Sequence, residues 1–284
     1  MATFTNRAFL TYNNITTGSN VATGEILEVL SATKTAVVDE YTVGDRLTYV
    51  ISILNAGATS LNGLTLTDNL GAYENGGATL YPLTYVPESI QYYVNGVLQP
   101  TPAVTAGNTL SVTGISVPAN GNAVLVYAAD VNTYAPLDEG GLVENTATVT
   151  GAGVTAPVTV TETVTAAVEP ALTITKSITP STVTENSRVT YTFVIQNYGN
   201  RAVVATDNAT VTDTFNPILT GLVVALDGTT LTVGTDYTYS EADGIFSTVP
   251  GRITVPAATF TRDPATGAVI TTPGTAVLTV TGTI

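Results

Sequence analysis

SATKTAVVDEYTVGDRLTYVISILNAG, residues 31–57, returns as TITKSITPSTVTENSRVTYTFVIQNYG at 173–199. In both copies a lysine stands 21 residues before an asparagine (34 to 55, 176 to 197). Between the two, apolar residues alternate with polar ones. Leu47, Tyr49, Ile51 and Ile53 would face one way in the first copy, and Val189, Tyr191, Phe193 and Ile195 in the second. A period of two is that of a strand with one buried face. The likeness continues downstream. TLTDNL (65–70) matches TVTDTF (210–215) and aligns Asp68 with Asp213. The turn dipeptides Asn95-Gly96 and Asp227-Gly228 follow as hairpin signals. ISVPA (115–119) then matches ITVPA (253–257), and NAVLVYAADV (122–131) matches TAVLTVTGTI (275–284).

Strands repeated in this order predict an all-β protein of two immunoglobulin-like β-sandwich domains, with seven strands counted in the first and six in the second. Length and composition agree. A chain of 284 residues has room for two cores, and Thr, Val, Ile and Tyr dominate it, the types that suit a pleated, half-buried surface. Its 25 Gly and 14 Pro recur as strand-ending punctuation.

The two copies are out of phase. The first continues into VENTATVTG (143–151), while the second has no such strand before Ile284. FTNRAFLTYNN (4–14), at the other end, aligns with VENTATVTGAG (143–153), setting Asn6 on Asn145, Ala8 on Ala147 and Leu10 on Val149. Asn6 precedes Lys34 by 28 residues (6 to 34), and Asn145 precedes Lys176 by 31 (145 to 176). The expected division is therefore 1–24 as an N-terminal donor strand and linker, 25–168 as the first domain with a trailing linker, and 169–284 as a second domain lacking its last strand and accepting the donor. Phe4, Asn6, Ala8 and Leu10 are the alternating donor residues.

The run from Lys through TxTD to NTATVT resembles a repeat of bacterial and archaeal surface proteins known as the domain-of-unknown-function-eleven family. Both halves carry its opening, Lys34 with LTYVISILNAG and Lys176 with VTYTFVIQNYG, and its middle motif at Asp68 and Asp213. The resemblance implies that Lys34 and Asn145 join in a spontaneous Lys–Asn isopeptide bond. In the second domain the position matching Asn145 falls past Ile284, so the same bond there needs Asn6 of another copy to meet Lys176.

Such a bond requires a neutral amine, a carboxamide in contact with it and an acid to move protons. Burial lowers a lysine pKa, so a core site provides the nucleophile. The acid hydrogen-bonds the amide oxygen, and ammonia leaves. Asp68 and Asp213 are the expected proton-handling acids, with Lys34 and Asn145 as an intramolecular pair and Lys176 and Asn6 as an intermolecular one. In this picture the lysine strand runs beside the last strand and Asp68 reaches both from across the core. Asn55 and Asn197, at fixed distance from each lysine, are rival acceptors.

Composition restricts everything else. With no Cys, His or Trp there are no disulfides, no thiolate or imidazole metal ligands and no nucleophile–His pair, so no cofactor, metal or enzyme activity on external substrates is expected. A net charge of −14 makes nucleic acid and anionic membranes poor partners, and no apolar run approaches the roughly 20 residues of a membrane span. Only two lysines, Lys34 and Lys176, appear among 284 residues. MATFTNRAFLTYNN lacks the basic and apolar regions of a signal peptide, which leaves the export route open; with Met1 as the true start the expected route is another one, such as lysis. The expected function is a structural subunit of an extracellular filament on a cell or spore surface, a head-to-tail homopolymer. The alternative is a surface adhesin or glycan- or protein-binding module, with Tyr73, Tyr92 and Tyr93 as its contact surface.

Overall fold

The computed structural model describes residues 2–284, which are β-structure almost throughout. The chain divides into two compact units. The first takes the residues up to Ala135 with Leu142–Thr165, and the second Pro136–Gly141 with Ala166–Ile284.

The first unit is a sandwich of two six-stranded sheets. One sheet centres on Arg46–Asn55, flanked by the lysine strand Leu30–Ala36 and by the long strand Gly121–Val131. The other runs from Ala103–Ala106 through Leu110–Val117, Leu61–Asp68 and Leu142–Thr150 to Val158–Ala166. Alternate residues of both fill the core. Leu47, Tyr49, Ile51 and Ile53 are fully buried from one side, and Leu64, Leu110, Val112, Ala147 and Val149 from the other. The expected inward set of Arg46–Asn55 is thus the observed one. Asn95-Gly96 turns the hairpin between Gln91–Val94 and Val97–Gln99, both residues at positive φ, as the two-residue turn requires.

Sequence and structure differ in three places here. Residues 158–166, expected within a trailing linker, form a full strand that pairs with Leu142–Thr150 over eight positions. VTVTETVTA alternates as any half-buried strand does. Second, the lysine strand does not run beside the asparagine strand: the two belong to opposite sheets. Third, Asp68 lies in the same sheet as Asn145, directly opposite Ala147, and faces Lys34 across the core.

The second unit repeats this plan with less of it. A five-stranded sheet, ordered Leu172–Thr179, Arg188–Asn197, Gly274–Thr283, Thr220–Leu226 and Thr229–Thr230, matches the lysine-bearing sheet of the first unit. The facing sheet has three short strands, Thr212–Thr214, Ile245–Thr248 and Tyr237–Tyr239. Val189, Phe193, Leu278 and Val280 from one side meet Tyr237 and Phe246 from the other in a single core. Thr212–Thr214 corresponds to Leu61–Asp68, yet it is an edge. No described strand stands where Leu142–Thr150 stands in the first unit.

The N-terminal segment belongs to neither sandwich. It is not the single strand expected for 1–24 but a ribbon, in which Ala2–Asn6 pairs with Ala22–Ile26 and Phe9–Tyr12 with Ile15–Gly18. The turn is Asn13-Asn14, with φ of 45° and 62°, the left-handed region that Asn tolerates best after Gly. Every residue from Thr3 to Ile26 is exposed except the half-buried Gly24.

Candidate functional site

The first unit buries one lysine, one aspartate and two tyrosines in a single polar cluster. Lys34 Nζ stands 2.6 Å from Asp68 Oδ2, and neither side chain is exposed to solvent. Tyr127 donates its hydroxyl to the same oxygen at 2.6 Å and accepts the Asn145 amide at 3.0 Å. The backbone N–H of Leu70 holds Asp68 Oδ1 at 2.9 Å, which fixes the carboxylate. The Lys34 ammonium also lies 4.8 Å from the centre of the Tyr49 ring, which stacks on Tyr127 at 5.5 Å.

Local structure dictates each placement. Lys34 sits opposite Ile51 in its antiparallel pair, so it shares the inward face of that buried residue. Asn145 alternates with Val143, Ala147 and Val149, all buried. Tyr127 follows Ala123 and Leu125 on the inward side of its strand.

Burial sets the electrostatics. Desolvation pushes the Lys34 amine down from 10.5 to about 8, against the pull of the Asp68 carboxylate and of Glu162, the residue paired with Asn145 on the neighbouring strand. Burial holds the Tyr127 hydroxyl well above its ordinary range, with the adjacent Asp68 charge adding to it, so this phenol keeps its proton. Asn145 Oδ1 and the Tyr49 hydroxyl are buried without a hydrogen-bond partner. A buried amide oxygen left unsatisfied costs about 1–3 kcal/mol.

Lys34, Asp68 and Asn145 are therefore brought to one place. The acid does not touch the amide oxygen, however, because Tyr127 stands between, on the amide nitrogen. The sequence reading missed Tyr127, although its inward parity beside Leu125 was legible. The rival acceptors have other work. Asn55 Nδ2 ties the carbonyls of Thr59, Val117 and Pro118, while its oxygen holds Gly57 N–H. Asn197 ties Arg201 and Pro256 carbonyls and accepts from Ala171 and Gly199.

In the second unit Lys176 pairs with Asp213 and lies 4.5 Å from the Tyr191 ring centre, repeating Lys34, Asp68 and Tyr49. The setting is open. The Lys176 side chain is 39% exposed where that of Lys34 is sealed. Ile174 and Ile178 pair directly with Ile195 and Tyr191 and so face inward, yet they are 54% and 36% exposed. An inward face is thus in contact with solvent beside the edge strand Thr212–Thr214. Val280, paired with Tyr191, occupies the place that Tyr127, paired with Tyr49, has in the first unit. Asn6 is exposed on the ribbon with Phe4, Ala8 and Leu10.

Among the described residues no group of three or more His, Cys, Asp or Glu gathers to hold a metal, and no helix is long and apolar enough to cross a membrane. Of the tyrosines read as a contact surface, Tyr92 is buried, its hydroxyl bound to the backbone of Ser116.

No family model matches the chain, and no curated protein matches it in sequence. Several solved structures are similar to it in fold. The major pilin subunit BcpA of Bacillus cereus is 12% identical with a TM-score of 0.38, covering 96% of this chain and 73% of that one. The 35 kDa C-terminal fragment of the major pilin GBS80 of Streptococcus agalactiae is 12% identical at 0.36, covering 86% and 91%. The pilus backbone RrgB of Streptococcus pneumoniae is 11% identical at 0.34, covering 86% of this chain and 55% of that one. Likeness this distant carries no argument about what the chain does.

Proposed function

We propose that the chain is a structural subunit of an extracellular filament. It joins head to tail when the N-terminal segment of one copy fills the groove between Leu172–Thr179 and Thr212–Thr214 of the next. The observation that carries this is the exposed inward face of Ile174, Lys176 and Ile178 beside an unpaired edge strand. In the register of the first unit, where Asp68 opposes Ala147, Asp213 opposes Ala8, and Asn6 takes beside the Lys176–Asp213 pair the position that Asn145 has beside Lys34, Asp68 and Tyr127. Phe4, Ala8 and Leu10 cover the groove, and burying Phe4 and Leu10 contributes about 1.5–3 kcal/mol each. A head-to-tail contact of this kind grows into an open fibre.

Covalent closure follows the chemistry of the buried cluster. The neutral Lys34 amine attacks the Asn145 carboxamide carbon, a new C–N bond forms, and the amine proton passes to Asp68. Tyr127, bonded to both Asp68 and the amide nitrogen, relays a proton to that nitrogen, which leaves as ammonia. Lysine and carboxamide become one secondary amide, with no oxidant or cofactor. Lys176, Asp213 and a neighbour's Asn6 make the same bond between subunits, more slowly, because Val280 has no hydroxyl to relay the proton.

Intact mass of boiled, denatured protein tests both steps. The expected result is a ladder of polymers lacking two ammonias per internal subunit, lost entirely on deletion of residues 2–12. Fibres from the truncated chain refute strand donation. Polymers that fall to full-mass monomers in detergent refute the covalent step alone.

A further inference from the structure

We infer that what passes between subunits is the whole two-stranded ribbon, residues 2–26, docked as a ready-made hairpin and not as one strand drawn out of it. This rests on the reading that the second unit accepts the N-terminal segment of another copy.

The first unit supplies the pattern. There the strand beside Asp68 is itself half of a hairpin, Leu142–Thr150 with Val158–Ala166, and the second half leads directly into the lysine strand Leu172–Thr179 of the second unit. The ribbon has the same form and the same sequel: its second half, ending at Ile26, leads into the lysine strand Leu30–Ala36. Two strands are therefore missing beside Thr212–Thr214, and the ribbon has two.

The faces agree as well. Phe4, Asn6, Ala8 and Leu10 share one side of the ribbon's first half, as Val143, Asn145, Ala147 and Val149 share one side of theirs. The opposite side carries paired threonines in both, with Arg7 over the Phe9 ring beside them in the ribbon. Thr146 meets Thr161 at 2.8 Å and Thr148 meets Thr159 at 3.1 Å in the first unit; Thr11 meets Thr16 at 2.9 Å in the ribbon. On the docking side of the ribbon's second half, Ala22 stands opposite Asn6 and Gly24 opposite Phe4, whose ring lies over the glycine.

Energetics favour the hairpin. Drawing out the first half alone would break ladders of five and four facing pairs. It would also leave the docked strand as a new bare edge, the hazard that pairing removes. A two-stranded ribbon on its own is marginal in water, so its exposed Phe4, Leu10, Tyr12 and Ile15 gain most from docking onto a third strand.

A disulfide across the threonine face distinguishes the two modes. The chain has no cysteine, so Thr5→Cys with Thr23→Cys gives a single reversible lock at the open end of the ribbon, where the two residues pair on the side turned away from the groove. The oxidised full-length chain is expected to polymerise as fast as its reduced form. Growth blocked until reductant is added overturns the proposal, because only strand withdrawal needs the ribbon open. Failure of the reduced form as well also overturns it, since positions 5 and 23 must then lie in the contact. Gly24→Val provides a second measurement. A Cβ at Gly24 would lie 2.4 Å from the Phe4 ring, so loosening the ribbon is expected to slow growth, while faster growth favours a single strand. Loss of strand donation itself reads out separately, as fibres that survive deletion of residues 2–12.

Discussion

Replacing Asp68 by Asn removes one charge from the buried cluster and almost none of its volume. In the first unit that carboxylate faces the Lys34 amine at 2.6 Å and the Tyr127 hydroxyl at 2.6 Å. The amide that replaces it cannot take the amine proton, so the Lys34–Asn145 bond is expected not to form. The uncross-linked loop between residues 34 and 145 then contributes its full disorder to the unfolded state, worth about 4–5 kcal/mol for a closed loop of some hundred residues. Tyr127 exchanges a charged acceptor for a neutral one, adding about 1 kcal/mol. At about 2–4 °C per kcal/mol for a domain of 150 residues or more, the first unit should melt some 10–20 °C lower. Calorimetry reads the shift, and the mass of the denatured chain should rise by one ammonia. The two measurements together also separate two roles for the acid. If Asp68 only held the lysine in its charged form, Asp68→Asn would leave a more neutral amine and a faster reaction. A variant that still lacks the full ammonia count, or that melts with the unaltered protein, refutes the proton-handling role.

Bond formation during refolding at a series of pH values is expected to speed up between about pH 7 and pH 9 and then level off, because the neutral fraction of an amine titrating near pH 8 rises from about one in ten to nine in ten; a flat profile refutes a rate limited by the Lys34 amine. The unreacted precursor, whose lysine pKa falls from 10.5 to about 8 on folding, should gain stability as pH rises through that interval, since the unfolded chain binds the additional proton there. Asn6→Ala and Lys176→Arg should each leave fibres that form but fall to monomers in hot detergent; resistant polymers from both variants rule out the bond between subunits. Dilution should decide between neighbours and self-closure, a ladder that disappears at low concentration marking exchange and a cross-linked monomer at every concentration marking closure. Tyr127→Phe should slow ammonia loss in the first unit while leaving the inter-subunit rate unchanged, because Val280 already stands at that place in the second.

The sequence alone determined the strands, their repeat and their faces. Alternation in LTYVISILN and its echo at 189–195 fixes which side chains point inward, since a pleated strand has a period of two whatever surrounds it. The repeat and the offset between copies aligned Lys34 with Lys176, Asp68 with Asp213 and Asn145 with Asn6, and the resemblance to the surface-protein repeat implied the roles of these residues before any contact was known. Spacing along the chain does not specify which sheet a strand joins. For that reason the lysine strand, expected beside Asn145, lies across the core from it, and VTVTETVTA, expected as linker, closes a hairpin. Only the packed sandwich decided that Tyr127 would stand between Asp68 and the amide, because that depends on two strands from opposite sheets meeting at one depth. Only it, too, exposed the inward side of Ile174 and Ile178. A sequence records which residues face inward, but whether anything covers them is a property of the neighbouring strands.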